Sequence, residues 1–248
     1  MIGSVERMAP SRRRRANPGW RTAVRVVVFA FLGWALAAQF LVSTWQVDSV
    51  SMSPSLAPAD RVAASPIPFG PWVPLTALRL PGLRAPGRGD LVVVEPPYAL
   101  ELTGWRRLAE PVVEFFSFQR ATLARTIDGT RADRFMLKRV IGIPGDTVRL
   151  DQFKAMVRPR GATEYQPEDK LMAKRFVRRI ELPASSADSS PTFTGTAAEV
   201  TLGEGQYFLL GDNRTSSSDS RSWGPVNLER IRALVLFRYW PPSSIGGI

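Results

Sequence analysis

Neither histidine nor cysteine occurs among the 248 residues, so nucleophilic chemistry here would have to come from Ser, Thr, Lys, Tyr or a carboxylate. The base for such a nucleophile is then a lysine, a carboxylate or an amine. Ser-His-Asp and Cys-His arrangements are excluded, together with imidazole and thiolate metal sites and disulfides. Four short stretches have to be read together: 47–56 (VDSVSMSPSL), 89–94 (GDLVVV), 138–146 (KRVIGIPGD) and 211–224 (GDNRTSSSDSRSWG). A serine hydroxyl is a poor nucleophile until a neighbouring base takes its proton. A lysine, with an unperturbed pKa of ~10.4, serves as that base only where burial among apolar neighbours penalises its charged form. Lys138 lies in FMLKRVI, a run apolar enough to supply that burial. On a strand, Lys138 and Met136 would share one face while Leu137 and Arg139 took the other. A lysine taken alone is most simply a solvated surface cation.

The elements that must position these groups are short and β-rich. Segments 61–64, 90–95, 134–143, 147–150, 153–158, 175–181, 199–202, 206–210 and 231–239 carry the Val/Ile/Phe/Tyr content and turn flanks of strands. Strands in such number predict a mainly β domain of antiparallel sheets or a partly closed barrel. Residues 66–88 are rich in Pro and Gly and predict an extended loop, and 182–197, rich in Ser, Pro, Thr and Ala, another. Segment 99–127 departs from this pattern. Leu100, Leu108, Val112, Phe115, Phe116 and Leu123 recur near helical spacing, with Pro111 breaking the run or starting a second helix. A helix packed on the sheet accounts for it better than an interfacial one dipping Phe115, Phe116 and Phe118 into lipid beside Arg120 and Arg125, because the apolar face is interrupted.

The N-terminal region sets the compartment. Residues 26–44 (VVVFAFLGWALAAQFLVST) are uncharged and almost wholly apolar. As a helix they reach about 29 Å, close to the ~30 Å of a bilayer's hydrocarbon core. Residues 1–25 hold seven Arg against Glu6, so +6 of the chain's net +11 precedes this run. The bias predicts a cytoplasmic tail over 1–22, a transmembrane signal anchor over 23–45 and an extracytoplasmic β-domain over 46–248. A cleavable signal would have a shorter apolar core and a small-residue cleavage site, and Ser43-Thr44-Trp45-Gln46 is a poor one. The remaining charge forms no basic run interleaved with aromatics, so nucleic acid is not an expected partner.

Taken in order, the four stretches resemble the signature boxes of the bacterial type I signal peptidases (leader peptidases), Ser-Lys proteases that remove signal peptides from exported proteins. The S-M-x-P-[TS]-L box is similar to 51–56, the R-G-D box to 88–90, the K-R-x-x-G-x-P-G-D box to 138–146, and the G-D-N-R-x-x-S-x-D-S-R box to 211–221. Segments 99–133 and about 151–205 carry no box, the first a possible helical insertion and the second a subdomain or insertion. The resemblance implies that Ser51 attacks the scissile carbonyl while Lys138 accepts its proton and later returns one to the leaving amine. It implies that the Ser49 hydroxyl and the backbone N–H of Ser51 hold the oxyanion, that Ser217 orients the lysine amine, and that Asp219 and Arg221 brace the site as an ion pair. Asp212 and Arg214 are expected to give structural support. Val47, Met52 and Leu137 are candidates for two shallow pockets that admit small side chains.

Two residues depart from the commoner family pattern: Asp48, where many relatives are less polar, and Ser55, where Thr is usual. The implied setting is a bacterial cytoplasmic membrane with the catalytic domain on its outer face. The implied partners are signal-peptide-bearing preproteins and the lipid bilayer, near the secretion translocon, with no cofactor and no metal. A specialised relative that matures a pilin or one dedicated substrate, and a non-enzymatic membrane-tethered β-scaffold, are the alternatives.

Overall fold

The chain is described by a computed structural model covering residues 19–73, 78–98, 105–116, 123, 135–172, 176–180 and 195–248. It divides into two compact units, residues 1–34 and 35–248. Helix α1 (Gly19–Phe40) makes up the described part of the first unit and runs on into the second. Its stretch Gly19–Ala37 has a mean hydropathy of 1.4, and none of it is buried. It is therefore long and apolar enough to cross a membrane, and it lacks the burial of a soluble core helix. The helix starts before the expected anchor at 23 and stops at Phe40. Ser43–Trp45, the end of the expected anchor, form strand β1 together with Gln46. The physical reason is pairing: Ser43, Thr44, Trp45 and Gln46 lie in register against Ala64, Val62 and their neighbours in β2.

The second unit is built on a seven-stranded antiparallel sheet. Its strands are β1, β2 (Arg61–Ser65), β3 (Leu91–Val94), β4 (Met136–Gly142), β9 (Gln206–Leu210), β10 (Val226–Asn227) and β11 (Ile231–Trp240). Their order across the sheet is β1-β2-β11-β3-β4-β9-β10. Although β1 is an edge and β4 lies four places away, the Trp45 ring meets Phe135, just ahead of β4, edge to face at 5.0 Å. The sheet must therefore curl, as the expected partly closed barrel does. One face buries Val92, Val94, Val140, Leu209 and Ile231, and the other buries Val62, Ala64, Leu91, Val93 and Val235 under Val47, Met52 and Leu56. Each of the Val, Leu, Ile and Met side chains among them contributes about 1.5–3 kcal/mol by leaving water.

A smaller sheet, ordered β7-β6-β5-β8, uses β5 (Thr147–Asp151), β6 (Lys154–Arg158), β7 (Gln166–Pro167) and β8 (Ala197–Thr201). Its residues Val148, Leu150, Ala155 and Val157 join Ile141, Phe208 and Leu210 of the large sheet in one apolar cluster. Gly142 permits this approach, since a Cβ there would stand 2.6 Å from Val148 Cγ2. The segment without boxes is thus packed onto the sheet that carries Lys138.

Most expected strands appear with shifted ends. The expected strand 153–158 loses its first residue because Phe153 sits in a left-handed turn conformation at φ 66°. Within the expected strand 175–181, the described residues 176–180 form a single bridge, Arg179 to Asn213, rather than a strand. Helix α2 (Trp105–Phe116) runs through position 111 without a break, while Leu100 and Phe118 lie outside the described residues. Of the expected loop 182–197, residues 182–194 lie outside the description and Ala197 begins β8.

Candidate active site

Ser51 stands in a single 3-10 turn, Val50–Met52, directed inward by the burial of Met52 and Leu56 beneath it. The base of this loop is closed by N–H···O bonds from Val47 to Asp60 and from Ala59 to Val47. Its tip is tied to the 211–214 loop, where the Asn213 backbone N–H donates to Ser51 O at 3.0 Å and the Asn213 side-chain amide donates to Val50 O at 3.3 Å. Lys138 enters from β4, whose register sets Lys138 opposite the wholly buried Val92. Cross-strand partners share a face, so the lysine stem is flanked by apolar side chains, as the alternation in FMLKRVI predicts. Its Nζ lies 3.0 Å from Ser51 Oγ, with Lys138 2% and Ser51 8% exposed. Burial at this depth disfavours the ammonium, and a neutral amine at 3.0 Å is placed to take the hydroxyl proton. On the other side, Ser49 Oγ is 3.0 Å from Ser51 Oγ, within reach of an oxygen that develops negative charge there.

The four stretches hold one another. Arg139 donates to both oxygens of Asp212 at 2.8 and 2.7 Å, and its third nitrogen donates to Gly89 O at 2.9 Å. Asp212 also accepts from the Ser55 hydroxyl at 2.5 Å. Arg88 grips Asp146 through two bonds of 2.9 and 2.6 Å. Arg139 and Asp212 are both buried, as are Arg214 and Glu168, whose guanidinium and carboxylate pair at 2.8 Å through two bonds. One residue on from Lys138, and four on from Ser51, every polar group is thus bonded to a different segment of chain.

Below the pair, Asp219 caps helix α4 (Ser220–Trp223) and pairs with Arg221 at 2.8 Å, both side chains fully buried. Burial alone would push the Asp219 carboxyl up. The Arg221 guanidinium, the Gly211 N–H and the adjoining Ser217 outweigh it and hold the group below its ordinary 3.8. A depressed carboxyl contributes stability that is fully present above its unfolded pKa and is lost as pH falls through the folded one. Ser217 is buried here too, its hydroxyl beside the Asp219 carboxylate that it helps to hold down. Its closest constraint is Gly211, where an added Cβ would come 2.2 Å from Ser217 Oγ and 2.5 Å from the Ser51 carbonyl oxygen. Backbone cannot yield as a side-chain end does, so Gly211→Ala should displace Ser51. We expect a drop in kcat of about 10²-fold with the fold retained, read by turnover and circular dichroism.

Residues 20–240 match the family described as signal peptidase, peptidase S26. The chain belongs to that family. A probable thylakoidal processing peptidase of Arabidopsis thaliana is 28% identical over 202 residues, covering 82% of this chain and 39% of the relative. Signal peptidase I of Streptococcus pneumoniae is 33% identical over 129 residues, covering 45% and 63%. Signal peptidase I of Pseudomonas aeruginosa is 25% identical over 237 residues, covering 84% and 69%. The chain thus spans about two fifths of the thylakoidal relative and less than two thirds of the pneumococcal one.

Within this signal peptidase family fold, Ser49, Ser51 and Lys138 meet, and Asp219 and Arg221 pair behind them. Ser217 lies against Gly211 and beside Asp219. Of the expected pocket residues, Val47 and Met52 are core side chains at 4% and 1% exposure, while Leu137 is half-buried on the same cluster. Sequence reasoning undervalued Arg139, Asp212 and Asn213. Their signal was available, since all three sit inside the boxes, but nothing local says that Asp212 pairs across 73 residues with Arg139.

Proposed function

We propose that this member of the family is an endopeptidase that removes N-terminal signal peptides from exported preproteins, with Ser51 as nucleophile and Lys138 as general base. The observation that carries the reading is the 3.0 Å approach of a buried lysine amine to a serine hydroxyl. The Ser51 proton passes to the Lys138 amine as Oγ bonds to the scissile carbonyl carbon. The carbonyl oxygen becomes an oxyanion facing the Ser49 hydroxyl and the Ser51 N–H. As the tetrahedral intermediate collapses, the C–N bond breaks and Lys138 returns the proton to the leaving amine. A water then attacks the acyl-enzyme and gives a proton to the neutral Lys138 amine, which passes it to Ser51 Oγ as the ester C–O bond breaks and the carboxyl product leaves.

Helix α1 and the arginines ahead of it support a membrane anchor with a cytoplasmic N-terminus, and hence a catalytic domain on the outer face. A substrate whose own apolar segment lies in that bilayer would present its cleavage site at the surface, where two small pockets select an A-x-A-like sequence. Leu137 remains the candidate wall, since Val47 and Met52 can form no more than a pocket floor. Incubating a preprotein with the full chain in detergent, and sequencing the product N-termini, tests this. We expect one new N-terminus after a small residue, and none with Ser51→Ala. Equal products from both proteins would overturn the reading, and a survey of preproteins separates a general enzyme from one with a dedicated substrate.

A further inference from the structure

The part of the chain without boxes reaches the site through residues 176–180. This segment lies beside the 211–214 loop. The Arg179 N–H donates to Asp212 O at 2.9 Å, and the Arg214 N–H donates back to Arg179 O at 2.9 Å, a parallel bridge centred on Asn213. Ahead of it, the half-buried Phe176 ring receives three guanidinium groups, with centroid distances of 4.6 Å to Arg139, 5.8 Å to Arg178 and 5.9 Å to Arg214. Arg178 carries the contact on to Glu168 and Asp169 at 2.6 Å each, and Glu168 is the carboxylate that holds Arg214. Of these groups Arg139 holds Asp212, and the next residue, Asn213, holds the carbonyls of Val50 and Ser51.

We propose that segment 176–180 is a strap that positions the nucleophile, with Phe176 its positioning residue. The inference rests on the reading of Ser51 as nucleophile. An aromatic face attracts a desolvated guanidinium more strongly than an aliphatic side chain of similar volume does. Arg139 is 3% exposed and sits between Phe176 and Asp212, so the ring limits where that guanidinium can rest. Asp212 follows Arg139, and the backbone of Asn213, one residue on, sets the depth of Ser51. Phe176 touches no reacting atom and acts only through this relay.

The test uses Phe176→Ala, Phe176→Leu and Phe176→Tyr in the full chain, with kcat, KM, thermal midpoint and hydrogen exchange over 211–216 measured on each. For Phe176→Ala we expect kcat to fall about 10–100-fold with KM nearly unchanged, and exchange over 211–216 to quicken. Phe176→Tyr should restore both. Phe176→Leu should recover the thermal midpoint by refilling the volume, but not kcat. Recovery of kcat by Phe176→Leu would reduce the role to packing and overturn the proposal. Unchanged kcat and exchange in Phe176→Ala would do the same. If the wild type itself shows no turnover, the nucleophile reading fails, while faster exchange in Phe176→Ala still upholds the strap's grip on the loop.

Discussion

Replacing Lys138 with methionine should leave a folded protein whose turnover falls by about 10²–10⁴-fold, toward the background set by Ser51→Ala. Methionine keeps most of the stem that lies opposite Val92 and removes only the amine. Arginine should not rescue, because a guanidinium stays protonated under any usable condition. The pH dependence of kcat/KM carries the mechanism further. With Lys138 as the base, the active, neutral amine is gained as pH rises, and kcat/KM should rise with it. The chain has no histidine, which removes the side chain that ordinarily titrates between about pH 5 and 8. A rate that is flat from neutral to alkaline pH, with chemistry limiting, would eliminate Lys138 as the base.

Breaking the Arg139–Asp212 pair from one side should cost about 3–5 kcal/mol of stability, since a buried guanidinium or carboxylate is then left without its counter-charge. Both side chains are within 3% of full burial, so solvent does not screen the loss. Asp212→Leu and Arg139→Met made singly should each unfold at markedly lower urea concentration. The double variant should recover much of that stability, because it removes both charges together. Activity should not recover with it, as the bonds to Ser55 and Gly89 go with the pair. Additive losses in the double variant would show that the two residues do not act on each other.

The sequence made the large sheet legible where alternation and turns coincide. Residues 206–210 match β9 end to end, and 90–95 overshoots β3 by one residue on each side. It misled where one pattern ran into another. Ser43–Trp45 follow an apolar run without punctuation and so read as membrane, and only their pairing with β2 marks them as a strand. Residues 176–180 have a strand's composition, but their neighbour is the 211–214 loop, so a single bridge forms. At the site, Ser51 and Lys138 were legible because the absence of histidine and cysteine left few candidates and the boxes named two of them. Asp212 read as part of a charged turn, since burial of a carboxylate by a distant arginine leaves no local trace.

The contacts that build the site join residues far apart along the chain: 87 residues for Lys138 to Ser51, 73 for Arg139 to Asp212, and 163 for Asn213 to Val50. Contacts of such separation form slowly, because the intervening chain must first be ordered. A nascent chain that has emerged as far as β8 already holds Ser51 and Lys138, yet has no 211–214 loop to seat the serine. On the proposed assignment of Ser51 and Lys138, competence should therefore arrive abruptly and late in biogenesis, with global folding.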